Sequence, residues 1–165
     1  MKKTKLFAYV MLFATFFALT SCKKPTKTYT NDLSASELSD RVIDRLDSTE
    51  FRTAGGDWLE DYVTLPEGLS DYRICFSADG SNLNEFGIWH VSEDQIAPLE
   101  TALRTYLTES LHRNREFYNS YIPEETTKLE RAEVRVLGNY VCYAILDQSN
   151  RESFFHTLEE ELLVR

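Results

Sequence analysis

His112 and Glu116 stand four residues apart, and His156 and Glu159 three apart. On a helix either spacing puts an imidazole and a carboxylate on one face, where they can offer a metal two ligands. A zinc site needs three or four ligands and a supporting layer of hydrogen bonds. The third histidine, His90, is remote from both pairs. The chain has no glycine-rich phosphate loop, no His-Glu-x-x-His and no nucleophile elbow. The run Glu159-Glu160-Glu161 reads as a solvated helix face. The expectation is therefore no metal, no cofactor, no catalytic residue and no enzyme. The competing reading is a hydrolase or metal-dependent enzyme built on His90 or His112 with nearby carboxylates.

Cys22 has a different chemistry in prospect. It follows a basic start, Met1-Lys2-Lys3-Thr4-Lys5, and an apolar, uncharged run from Leu6 to Leu19. A positive n-region before a short apolar h-region is the pattern of a signal peptide. The run is shorter than the roughly 18 apolar residues that a transmembrane helix requires. Leu19-Thr20-Ser21-Cys22 then resembles the lipobox of a bacterial lipoprotein: Leu, two small residues, Cys. A thiolate is a good nucleophile for accepting a diacylglycerol group, and small residues before it suit a peptidase cutting at Ser21–Cys22. Residues 1–21 are thus expected to be a signal peptide and Cys22 a lipidated N-terminus carrying palmitate-type acyl chains on the extracytoplasmic face of the cell membrane. Lys23, Lys24 and Lys27 add attraction to anionic headgroups, about 1 kcal/mol each near the surface.

The remaining 144 residues hold 15 Lys and Arg against 27 Asp and Glu, a net charge of −12. Nucleic acid is excluded as a partner, because phosphate binding needs a basic patch. The size suits one domain with one core, and is too small for the two lobes of a solute-binding lipoprotein. Residues 22–32, with "KKPTKTYTND" after the cysteine, read as a polar tether, and 33–165 as the folded domain.

Within the domain, Ser34-Ala35-Ser36-Glu37 forms a capping box, with Leu33 and Leu38 as its staple. Leu38, Val42 and Leu46 continue at helical spacing, predicting a helix over 35–48. Residues 52–71 are irregular, with turns at Gly55-Gly56 and Pro66-Glu67-Gly68 and buried contacts expected from Trp58, Leu59, Tyr62 and Leu65. "YRICFS" (72–77) and "EFGIWHV" (85–91) read as a strand hairpin. A long helix over 94–119 follows, its stripe made by Ile96, Leu99, Leu103, Tyr106, Leu107 and Leu111. Pro98 fits only in a first turn, so the helix is expected to start late. After a turn at Pro123 and one short helix come "AEVRVL" and "NYVCYAIL", flanking Gly138-Asn139, then a last helix opened by Ser149 and Glu152 with Phe154, Leu158 and Leu162 on one face. The fold class is α+β: an N-terminal helix, then two ββα units forming an antiparallel four-stranded sheet with packed helices.

Strand alternation predicts two faces. If Ile74, Val141, Tyr143 and Ile145 face the helices, the opposite face presents Arg73, Cys75, Glu133, Arg135, Tyr140, Cys142 and Ala144. Cys75 and Cys142 then share that face, as two unlinked buried thiols or as a disulfide. Tyr and Arg among small residues resemble an interface centre, so Arg73, Arg135 and Tyr140 are the expected contact with an envelope or membrane protein, unless the first helix covers them. The facing of 85–91 is ambiguous, since Phe86 and Ile88 oppose Trp89 and Val91.

From Leu33 to Leu163 the chain resembles the lipoprotein family catalogued as domain of unknown function 4358. The carrying stretches are "NEFGIWHV", "YIPEE" and "GNYVCYAILD", in that order. Members are typically lipoproteins of Gram-positive bacteria. The resemblance implies a membrane-anchored domain with a binding or accessory role, and supplies no activity, ligand or catalytic residue.

Overall fold

Ser34 takes an extended backbone; its hydroxyl accepts from the Glu37 N–H, and the Glu37 carboxylate accepts from the Ser34 N–H at 2.9 Å. The expected capping box therefore starts α1 (Ala35–Ile43), which buries Ala35, Leu38 and Val42. The computed structural model describes residues 27–47, 50–54, 59, 62, 64–79 and 81–164, with the side chains of all of these except 110–115 and 117. The signal segment, Cys22 and Trp58 lie outside the described residues, as does the His112 side chain.

After α1 come β1 (Phe51–Thr53), β2 (Asp71–Ser77), β3 (Glu85–His90), α2 (Glu93–Tyr121), α3 (Pro123–Glu130), β4 (Glu133–Leu137), β5 (Tyr140–Ile145) and α4 (Gln148–Leu162). The strands make one antiparallel sheet in the order β1-β2-β3-β5-β4. This is a mixed α+β fold with five strands, not four. The additional strand, "FRT", pairs Phe51 with Ser77 and Thr53 with Cys75 at the sheet edge. Three residues are too few to display an alternation, which is why the segment reads as irregular.

Helices cover both faces, so the domain has two cores. One lies between the sheet and α1 with α4: Cys75, Phe86, Ile88, Tyr140 and Cys142 meet Leu38, Phe154, Leu158 and Leu162. The other lies beneath α2 and α3: Ile74, Trp89, Val134, Val141 and Tyr143 meet Leu99, Leu103, Tyr106 and Leu129. β3 is central and buried on both sides, which resolves the ambiguity of 85–91: both sets of its apolar residues are core.

This layering corrects the expected interaction face. Tyr140 is fully buried beneath α1, its hydroxyl donating to the Leu33 carbonyl at 2.6 Å. Arg73 reaches across to Ser36 of α1 and Thr53 of β1. Arg135 is half-exposed, bonded to Glu133 and lying 4.1 Å above the Phe155 ring of α4. These residues hold helices to the sheet. Cys75 and Cys142 do share a face and are free, buried thiols. Cys75 pairs with Phe86 and Cys142 with Ile88, so β3 runs between them. Strands two apart stand about 10 Å from each other, beyond the roughly 7 Å Cα limit of a disulfide.

α2 begins at Glu93, earlier than expected, and Pro98 occupies its sixth position. Ser92 is extended there, and Glu93 and Asp94 complement the positive end of the helix. Buried Leu99 and Leu103 anchor the helix beyond the proline, which sacrifices one backbone hydrogen bond. The last helix is capped by Asp147, which accepts from the Asn150 N–H at 3.0 Å, and not by Ser149. Part of the expected tether also belongs to the domain. Tyr29 bridges Leu163, the Thr30 N–H donates to the Leu162 carbonyl at 2.8 Å, and the Val164 N–H donates to the Thr28 carbonyl at 2.9 Å.

Candidate functional site

Glu85 opens β3 with its side chain on the α2 side, the side shared with Gly87 and Trp89. Gly87 has no side chain there. A Cβ at that position would stand 2.4 Å from the Trp89 ring and 2.5 Å from Tyr143. The two rings instead close over the glycine, their centroids 5.7 Å apart. Tyr143, opposite Gly87 on β5, thereby reaches along the strand to donate its hydroxyl to Glu85 Oε1. Tyr106 descends from α2 and donates to the same oxygen at 2.8 Å. Among the described residues no donor reaches Oε2.

Glu85 is buried, and loss of hydration raises its carboxyl above the usual range, opposed by the two tyrosine hydrogen bonds. The Tyr143 hydroxyl is pushed well above its ordinary value, first by burial and then by the Glu85 charge. Burial thus favours the acid form of this carboxyl, while the two phenols bonded to one of its oxygens favour the carboxylate.

A pocket of about 430 Å³ opens over this group. Phe76, Glu85 and Ile145 come from the sheet, Tyr106 and Tyr118 from α2, Leu129 from α3, and Tyr62 from the segment before β2. The β2–β3 turn supplies the rim, including Asp79, Asn82 and Asn84. That rim is fixed to α3: Glu125 accepts from the Leu83 N–H at 2.7 Å, and Lys128 bonds Asn82 at 3.0 Å and Glu125 at 2.9 Å. Asp79 closes the turn by accepting from the Ser81 N–H and hydroxyl, which lowers its carboxyl.

All of the lining residues fall within residues 61–146, the span matched by the profile of a family described as Domain of unknown function (DUF4358). That is 86 of 165 residues. The chain belongs to the DUF4358 family. The pocket is thus a property of the DUF4358 span, whereas α1 and α4, which cover the other face, lie outside it. No curated protein and no solved structure matches the chain.

Among the described residues no histidine lines the DUF4358 pocket. His90 lies at the far end of β3, its Nδ1 3.2 Å from Asp71 and its ring stacked on Tyr140 at 4.5 Å. The other Asp71 oxygen accepts from the Ala35 N–H at 3.0 Å, so this pair fastens α1 to the sheet. His156 faces Glu160 at 3.5 Å, while Glu159 pairs with Lys27 and Arg135. Among the described residues no three His, Cys, Asp or Glu converge on one metal position, and no helix is long and apolar enough to cross a membrane.

Sequence reasoning places Tyr106 on the stripe of the long helix and Tyr143 on the same side of the sheet, and misses Glu85. The available signal is positional. Glu85 shares its face with Gly87 and Trp89, both buried, so a carboxylate in that series is covered as well.

Proposed function

We propose that this chain is a lipid-anchored envelope protein whose DUF4358 region binds a small ligand, or a ligand-sized group on an envelope partner, in the Glu85 pocket without transforming it. Anchoring is supported by the basic start, the apolar run and Leu19-Thr20-Ser21-Cys22, the pattern of Gram-positive lipoproteins with acyl chains on the cysteine. Binding rests on one observation: a buried carboxyl, one oxygen of which meets no donor among the described residues, lies on the floor of a pocket that includes four aromatic rings. Such a pocket is of ligand size, and a few polar groups set in apolar walls are what fixes a ligand's orientation.

The non-catalytic part of the reading is supported by separation. Glu85 is an acid, and among the described residues the nearest histidine with a carboxylate partner is His90, five residues along the same strand. At the rise of a strand that is about 17 Å, too far for that histidine and Glu85 to act on one bond. A broad fragment screen on the full chain, observed through Tyr ring resonances, tests the binding role. Hits are expected to move the Tyr106 and Tyr118 rings together. A screen in which no fragment moves either ring defeats the reading.

A further inference from the structure

We infer that the Glu85 pocket is built for a ligand bearing a protonated amine, its ammonium seated on Glu85 Oε2 and its body against the tyrosine rings. This rests on the ligand-binding reading above and names the ligand's chemistry.

Both hydroxyl donors converge on Oε1, which leaves Oε2 as the oxygen able to receive a donor from the pocket. Among the described residues the charged groups lining the pocket are acidic. Glu85 and Asp79 line the pocket, and among the described residues no Lys or Arg does. Lys128 stands beside the rim but is held by Glu125 and Asn82. Phe76, Tyr62, Tyr106 and Tyr118 add ring faces, which attract cations. The chain as a whole carries a net charge of −9. Asp79, the ring faces and the overall acidity of the chain all disfavour an anion. A neutral ligand can hydrogen-bond Glu85 but gains nothing from Asp79 or from the ring quadrupoles. An ammonium gains from all three.

Binding carries a proton balance. In the empty pocket burial favours the acid form of Glu85. An arriving ammonium keeps its three N–H bonds and donates one to Oε2. The Glu85 O–H breaks, and its proton passes to solvent. The groups facing this event are Tyr106 and Tyr143 on Oε1, Tyr118 beside them on α2, Asp79 on the rim and the Glu125–Lys128 pair of α3. The two phenols stabilise the carboxylate so formed.

Benzylamine, benzyl alcohol and benzoate share one body and differ in charge, so they separate the possibilities on the full chain. Benzylamine is expected to move the Tyr106 and Tyr118 resonances and to bind about tenfold or more tightly than benzyl alcohol, with benzoate silent. Glu85→Gln keeps an oxygen for the two phenols and removes the charge. It is expected to weaken benzylamine by about tenfold or more, and by clearly more than it weakens benzyl alcohol. Should that variant unfold, the three probes on the unaltered chain decide alone. If benzyl alcohol or benzoate binds as tightly as benzylamine, the amine assignment falls and the binding role stands. The amine assignment falls in the same way if none of the three binds but another fragment moves the rings. If no fragment does, both fall.

Discussion

Glu85 costs the fold stability in one direction of pH only. Its carboxyl is raised in the folded state by burial, so the folded chain holds that proton after the unfolded chain has released it. Its contribution is fully present below the ordinary carboxylate range and is lost as pH rises through the folded value. Glu85→Gln, which cannot ionise, is expected to flatten this decline. Urea unfolding between about pH 4.5 and 8 checks it: the gap in midpoint between variant and parent should widen in the variant's favour as pH rises. A gap that narrows with pH contradicts the buried-acid description. The same residue marks the limit of what the chain discloses by inspection. Tyr106 and Tyr143 are legible because apolar periodicity assigns them to a face. A carboxylate at the first position of a strand resembles any solvated strand end. The register, which sets Glu85 against Ile145 and brings α2 over it, shows otherwise, and the one pointer in the sequence is the face it shares with Gly87 and Trp89.

At the scale of elements, β3 depends on a residue that is absent as a side chain. Trp89 and Tyr143 occupy the space above Gly87, and both rings are fully buried. Gly87→Ala is therefore expected to destabilise the domain by about 1–3 kcal/mol through overpacking. Thermal unfolding measures this, and the displaced Tyr143 ring should also disturb the Tyr106 resonance through their shared carboxyl. An unchanged melting temperature would show that the rings yield freely. The helices and four of the strands are legible from capping boxes and alternation. Helix facing is less so, because period-two patterning states that a strand has two sides and not what lies on each. Tyr140 and Arg135 carry an interface-like composition, and they carry it because α1 and α4 need hydrogen-bond and stacking partners on the sheet. β1 and the seating of Pro98 escape for a related reason: both are imposed by neighbours, the edge of β2 in one case and the Leu99–Leu103 core in the other.

For the whole molecule, the anchoring proposed above turns on the Cys22 sulfur. Cys22→Ala is expected to abolish labelling by radioactive palmitate and to release the protein from membrane fractions, or leave it as the uncleaved precursor. Label that survives the substitution refutes lipidation at Cys22. The strap formed by residues 28–30 against 162–164 then acquires a mechanical meaning. Five peptide steps separate Cys22 from Lys27, whose ammonium meets Glu159. Fully extended they span about 17 Å, so the leash is short compared with the domain it holds. The strap also seats Tyr29 against the turn at Gly138, at the end of the sheet where β5 starts. The mouth over Glu85 and Ile145 lies at the other end of the same strands. Under the anchoring proposed above, a domain moored in this way would hold its opening at the end away from the bilayer.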